Sequence, residues 1–238
     1  MIRERLIEPA PPVELIKANA NVKVISRDEA AGVILKYEWL GSMAASCSLA
    51  VGLYFGDALA GVEVFTSAKA GGSYTLGKRP AICLARGACV SWSPAWAGSY
   101  LVRKALNFID ADRFHFVTAY SDSEAGEYGT IYQAAGWCCV GTTTNSYWLD
   151  PDGGRHDRCV HRNRARKYVN GKLQRPVTGH EEIREELIRQ GWRFVRNGAT
   201  RYRYAEALGT GRAYRERRKF LESMKVPFPK RAGEVSIS

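Results

Sequence analysis

Residues 120–137 read YSDSEAGEYGTIYQAAGW, and this stretch decides the fold. It follows FHFVTA (114–119), an alternating run that predicts a strand. Past Tyr120-Ser121-Asp122 come glycines at 126, 129 and 136 and tyrosines at 128 and 132. That spacing predicts a Gly-rich turn and a short helix over 128–135, closed by Gly136. A strand that runs through such a turn into a helix presents backbone N–H groups and side chains to a ligand.

Working outward, Ala81–Trp92 reads as a strand and Trp96–Ile109 as an amphipathic helix. Ser48–Phe55 and Leu59–Thr66 are alternating apolar runs joined by Gly56-Asp57, which is a hairpin signal. Ser26 is placed to cap a helix over 27–37, with Glu29 at the capping-box position, and Val22–Ile25 is a short strand before it. Residues 1–21 form an irregular arm broken by Pro9, Pro11 and Pro12, and 70–80 is a polar Gly-rich loop. Trp137–Gly141 and Ser146–Asp150 are expected to be a closing pair of strands. The order β-α-β-β-β-α-β-α-β-β predicts an α/β fold, a mixed sheet with helices on both faces, as in the GNAT acyltransferases.

The 238 residues can fill one large domain or a domain with an extension. No run approaches the roughly 18 uninterrupted apolar residues of a membrane span. The charged start MIRERLIEPAPPVEL does not read as a signal peptide, so the expected location is the cytoplasm. Six cysteines without framework spacing suit a reducing compartment. Cys47, Cys83 and Cys89 stand in apolar runs, and vicinal Cys138 and Cys139 should face opposite sides of a strand.

The charge is uneven. Residues 1–150 carry 13 Lys/Arg against 14 Asp/Glu, while residues 151–238 carry 22 against 10. A near-neutral body with a strongly basic end points to a polyanionic partner, most simply nucleic acid. The expected division is an arm over 1–21, a catalytic core over 22–150 and a basic extension over 151–238 packed on the core. In that extension RHDRCVHRNRARKYVNGK is dense in Arg, Thr178 can cap a helix over 179–190, and WRFVRN and RYRYAEAL alternate Arg with aromatics. RAYRERRKFLESM reads as a helix. His156, Cys159 and His161 are metal-capable but lack a partner CxxC, so the zinc signal is weak.

Three segments carry a resemblance: CLARGACVSWSPAWAGSYLVRKAL (83–106), AYSDSEAGEYGTIYQAAGW (119–137) and GGRHDRCVHRNRARKYV (153–169). In that order they resemble the Mom family of phage Mu and its relatives, with Gly129-Thr130-Ile131-Tyr132-Gln133 the most specific part. The resemblance implies a divergent GNAT-fold enzyme that converts adenine in phage DNA to N6-(carbamoylmethyl)adenine and so shields the genome from restriction. It points to Arg86, Ser99, Asp122 and Tyr132 as catalytic residues, and to Ala97, Gly98 and Ser99 as donor-binding.

The chemistry of these residue types is compatible with that. Ser99 near a helix start suits an anionic oxygen. Arg86 on an apolar strand needs a carboxylate or phosphate. Asp122 past a strand end can orient an amine, and Tyr132 can donate a proton or stack on a flipped base.

Two departures stand out. Ser91–Gly98 lacks a tight pyrophosphate cradle, and Tyr37-Glu38-Trp39 occupies the place where relatives are expected to carry a His-Tyr pair. The donor is therefore open, with an acyl-CoA-type molecule or a metal ion both compatible. The product also carries a methylene on N6, whereas acetyl transfer would leave an amide there.

The expected partner is double-stranded DNA with a flipped adenine, bound by Arg155, Arg158, Arg162, Arg164, Arg166, Lys167, Arg201 and Arg203 through phosphate contacts that weaken steeply with salt. Two other readings stay open: a GNAT acetyltransferase acting on a small amine or protein, and a non-enzymatic DNA binder on a degenerate fold.

Overall fold

The computed structural model describes residues 7–69, 72–157, 160, 167–169, 172–174 and 180–230. In chain order the elements begin with β1 (Ala20–Val24), α1 (Arg27–Tyr37), β2 (Leu49–Phe55), β3 (Ala58–Thr66), β4 (Ala68–Lys69), β5 (Gly72–Ser73), β6 (Thr75–Leu76) and β7 (Arg79–Cys89). Then come α2 (Ala97–Ala105), β8 (Phe116–Asp122), α3 (Thr130–Ala134), β9 (Cys138–Leu149) and β10 (Arg155–Asp157). The last are β11 (Lys167–Val169), β12 (Lys172–Gln174), α4 (His180–Arg189), β13 (Arg193–Ala207) and α5 (Gly211–Ser223).

The residues group into two compact units, the larger holding the described residues up to Thr142 and from Tyr202 onward, the smaller those of 143–201. Strands β9 and β13 belong in part to each. The basic region expected as one extension is thus divided, because β13 enters the large sheet at Tyr202 and its aromatics are buried there.

In the larger unit the strand order is β1-β2-β3-β7-β8-β13-β9. Strands β1, β2, β3 and β7 pair antiparallel, and β7 pairs parallel with β8. This is the mixed, helix-flanked α/β sheet that the element order predicts. Helix α1 begins with the expected capping box, Ser26 accepting from the Glu29 backbone and Glu29 from that of Ser26.

Ala97, Leu101, Val102 and Ala105 of α2 bury one sheet face together with Phe55, Phe65 and Trp137. Ala30, Val33 and Ile34 of α1 pack with Val62 and Val64. Leu221 of α5 packs with Phe116, Cys138 and Ala205. Cys138 and Cys139 fall in different clusters, as strand alternation requires.

One expectation is corrected: the closing pair over 137–150 is the single strand β9. The two segments that alternate Arg with aromatics fall largely within one strand, β13. After Gly141 come three threonines, whose β-branched side chains favour continued extension over a turn. The loop over 70–80 also ends earlier than expected: Gly77 and Lys78, both at positive φ, turn β6 into β7, which starts at Arg79.

In the smaller unit β10 pairs antiparallel with Tyr147–Leu149 of β9, and β11 pairs with β12. Trp148, Leu187 and Trp192 form its core, with Val160, Ile183 and Phe194 packed against them. Asp150 closes the turn into β10: Oδ1 accepts from Gly154 N at 2.6 Å and Asp152 N at 3.1 Å, and Oδ2 meets His156 Nε2 at 2.8 Å. That histidine bond, with the turn amides, holds the Asp150 carboxyl below its usual range.

Candidate active site

Strands β7 and β8 run side by side only from Ala81–Phe116 to Leu84–Ala119. Beyond that point β7 continues to Cys89 on the β3 side alone, with a register shift opposite Val64/Phe65 that leaves Ala85 as an extra residue. The burial pattern follows this parting. Ala81–Leu84 are buried, Ala85, Arg86, Ala88 and Cys89 are half-buried, and Gly87 is exposed although it lies mid-sheet. An opening in the middle of a sheet, at the C-terminal ends of two parallel strands, is where an α/β fold admits a ligand.

Opposite Gly87 stands Glu63, the only charged residue of β3, ALAGVEVFT, and 3% exposed. A Cβ built on Gly87 would lie 3.7 Å from Glu63 Cγ and 3.9 Å from Oε1, so the carboxyl borders the opening. Its Oε2 is buried and, among the described residues, has no hydrogen-bond partner. Burial pushes the Glu63 carboxyl well above the carboxylate range, which favours its neutral, protonated form. Glu63 is not among the residues expected from sequence, although a lone charge in the centre of an apolar strand is rare without a function.

The groups around it come from three elements. A Cβ on Gly61 would lie 2.8 Å from Cys89 Sγ and 3.4 Å from Leu101 of α2, so this face of β3 looks toward α2. Gly98 in the first turn of α2 sits between Ile131 of α3 and Cys89. Burial, chiefly, pushes the Cys89 thiol up to about 12, so it is no thiolate nucleophile. Tyr132 of α3 stacks on Trp137 with ring centroids 5.2 Å apart and meets Tyr204 at 5.2 Å. Burial first, then the negative charge of Glu127, raises its phenol well above the usual value.

The remaining expected residues are placed as follows. Ser99 lies in the first turn of α2, and its Oγ donates to Trp96 O at 3.1 Å. Asp122 is 3% exposed at the end of β8, where its carbonyl accepts from Glu127 N. Arg86 turns toward the end of α1: Nε donates to Ser42 O at 2.7 Å and Nη1 to Ala85 O at 2.7 Å, and Nε lies 3.5 Å from Glu38 Oε2. The segment Tyr37-Glu38-Trp39 thus supplies the carboxylate that Arg86 was expected to need. Ala97, Gly98, Ser99 and Tyr132 gather on the Glu63 side of the sheet.

Of the residues expected on DNA, Arg155 lies over the Tyr147 ring at 4.4 Å and Arg201 is half-buried, both in the smaller unit. Arg203, in the larger unit, donates from Nη2 to Thr75 O at 2.8 Å. Arg158, Arg162, Arg164 and Arg166 lie outside the described residues, as do Cys159 and His161, and Lys167 begins β11. Among the described residues no three His, Cys, Asp or Glu side chains converge on a metal position. No described helix is long and apolar enough to cross a membrane.

A family model described as the Mom protein family matches residues 19–230. The chain belongs to the Mom protein family. A search of curated proteins finds no match. Solved structures similar to this Mom-family chain include a Bacillus subtilis acetyltransferase in complex with CoA, at 14% identity and TM-score 0.45 over 80% of this chain and 99% of that one. Another is a GNAT family acetyltransferase from Elizabethkingia anophelis with acetyl-CoA bound, at 8% identity and TM-score 0.47 over 81% and 100%. A third is the ribosomal-protein-S18-alanine N-acetyltransferase of Escherichia coli, at 8% identity and TM-score 0.46 over 81% and 96%.

Glu63 has a consequence for stability. Its carboxyl in the folded chain is raised above the unfolded value of about 4.3. The folded state therefore keeps a proton that the unfolded state releases, and stability falls as pH rises from that value toward the folded one. Glu63→Gln removes the dependence. The variant is expected to melt above the wild type at pH 7 to 8 and to match it near pH 4, as read from melting temperature against pH. A gap that widens toward acid would contradict the buried neutral carboxyl.

Proposed function

We propose that this Mom-family protein modifies the exocyclic amine of adenine in double-stranded DNA, giving N6-(carbamoylmethyl)adenine. The observation that carries the reading is the opening between β7 and β8, bordered by Gly87 and Glu63, in a chain matched by the Mom model over residues 19–230. The base reaches it flipped out of the duplex, because stacking and pairing otherwise cover N6. The basic residues after 150 supply phosphate contacts that offset the cost of flipping.

In the reaction N6 forms a bond to a methylene carbon. One N6 proton leaves, and the bond between that carbon and the rest of the donor breaks with its electron pair. Tyr132, stacked against Trp137, supplies an aromatic wall, and Asp122 closes the end of β8 beside the opening.

Two donors at the start of α2 are already engaged. Ala97 N–H donates to Pro94 O at 2.8 Å, Pro94 has no N–H, and Ser99 Oγ is engaged by Trp96 O.

The test is mass spectrometry of nucleosides from a plasmid co-expressed with the protein, beside Asp122→Ala and Tyr132→Phe. A deoxyadenosine heavier by one carbamoylmethyl group, reduced in both variants, is the expected result. An unmodified profile with good soluble expression would end this reading, and acetyl-CoA binding without DNA would replace it with acetyl transfer to a small amine.

A further inference from the structure

Adenine N6 is a poor nucleophile because its lone pair is delocalised into the ring. Resting on the function proposed above, the site must overcome this. We propose that Glu63 is the group that receives the target adenine, its carboxylic acid O–H donating to N1 while its carbonyl oxygen accepts the N6–H. The carboxyl is 3% exposed, its Oε2 has no partner among the described residues, and its Oε1 faces the space over Gly87, where the sheet opens to solvent. A neutral carboxyl carries one donor and one acceptor side by side. The N1–N6 edge of adenine is its complement, acceptor beside donor. A carboxylate, with acceptors only, would leave N1 without a donor. Burial favours the neutral form here, and the titratable groups that face Glu63, Cys89 from β7 and Tyr132 from α3, are neutral as well.

The same pair of hydrogen bonds moves protons without net change. Glu63 gives its proton to N1 and takes an N6 proton on its other oxygen, so the carboxyl ends as it began. Adenine is left as the N1–H imino tautomer, with a localised lone pair on N6. That nitrogen forms the bond to a donor that carries the carbamoylmethyl carbon on a leaving group. The leaving group departs with the electron pair and takes up the N1 proton, which restores the aromatic amino form. Bifunctional proton transfer of this kind is general acid and base catalysis by one side chain.

Glutamine at 63 keeps a donor and an acceptor in the same places but has no proton to relay. Glu63→Gln is therefore expected to fold, to bind duplex DNA as the wild type does, and to form at least about 100-fold less modified deoxyadenosine at equal protein level. Glu63→Leu is expected to lose modification equally. Infrared spectra of the wild type at neutral pH should show a protonated-carboxyl carbonyl band that is absent from Glu63→Gln and that shifts when duplex DNA is added. Modification by Glu63→Gln within threefold of the wild type, or a wild-type spectrum without that band, would overturn the role of Glu63 while leaving the function in place. A wild type that never modifies deoxyadenosine removes the function and this proposal together. Should the glutamine variant fail to fold, the wild-type band and its shift with DNA decide alone.

Discussion

Gly129→Ala is expected to cost about 2–5 kcal/mol, the sum of a left-handed backbone penalty and an overpacked core. Gly129 caps α3 at φ 66 and ψ 28, a region that residues with a side chain rarely occupy. A Cβ there would lie 2.3 Å from Tyr204 Cε2 and 2.7 Å from its hydroxyl oxygen. The ring cannot retreat easily. It is fully buried, its hydroxyl donates to Tyr128 O at 2.6 Å, and it meets the Tyr132 ring at a tilt and stacks on Phe228. At roughly 2–4 °C per kcal/mol for a chain of this size, the melting temperature should fall by about 4–20 °C. Calorimetry of the two proteins measures it, and an unchanged midpoint would mean that the close approach of Gly129 to Tyr204 is not a feature of the folded protein. Because the displaced ring carries Tyr132 with it, modification should fall as well.

Gly87→Val is expected to have the opposite signature, intact stability with lost activity. The Cβ position at Gly87 meets nothing closer than 3.7 Å, and its φ is not in the left-handed region, so a β-branched residue suits the strand. The added methyls would fill the space between the parted strands in front of Glu63. A displacement of about 1 Å in the reacting groups can cost about 100-fold in rate, and an effect of that size is expected in modified deoxyadenosine per plasmid. Gly87→Ala, one methyl smaller, should fall between the two. A valine variant as active as the wild type would place the site elsewhere on the molecule.

The paired effects separate two uses of glycine that the sequence shows identically. Gly129 was legible as a turn glycine, but its closest neighbour is Tyr204, 75 positions later. Periodicity carries no information about such a contact. Tyr132 was singled out from the signature, while its stacking on Trp137 and Tyr204 required the sheet to bring β13 beside β8. Ser99 and Arg86 were singled out through the resemblance, with residue type and local context compatible. The structure engages both with neighbouring carbonyls, and Arg86 with Glu38, because the end of α1 returns to the far side of β7.

What the sequence determined by itself is what depends on near neighbours: the capped helix α1, the β2–β3 hairpin, the strand-turn-helix around Gly129 and the basic composition after residue 150. These follow from propensities, caps and turns, whose energies arise within a few residues. Tertiary structure decided where β7 and β8 part, that β9 and β13 are single long strands, and that the one acid of β3 stands buried at the opening. Those outcomes depend on pairing and desolvation between segments far apart in the chain. The proton on Glu63 is the clearest case, since only the surroundings that exclude water from it raise its pKa.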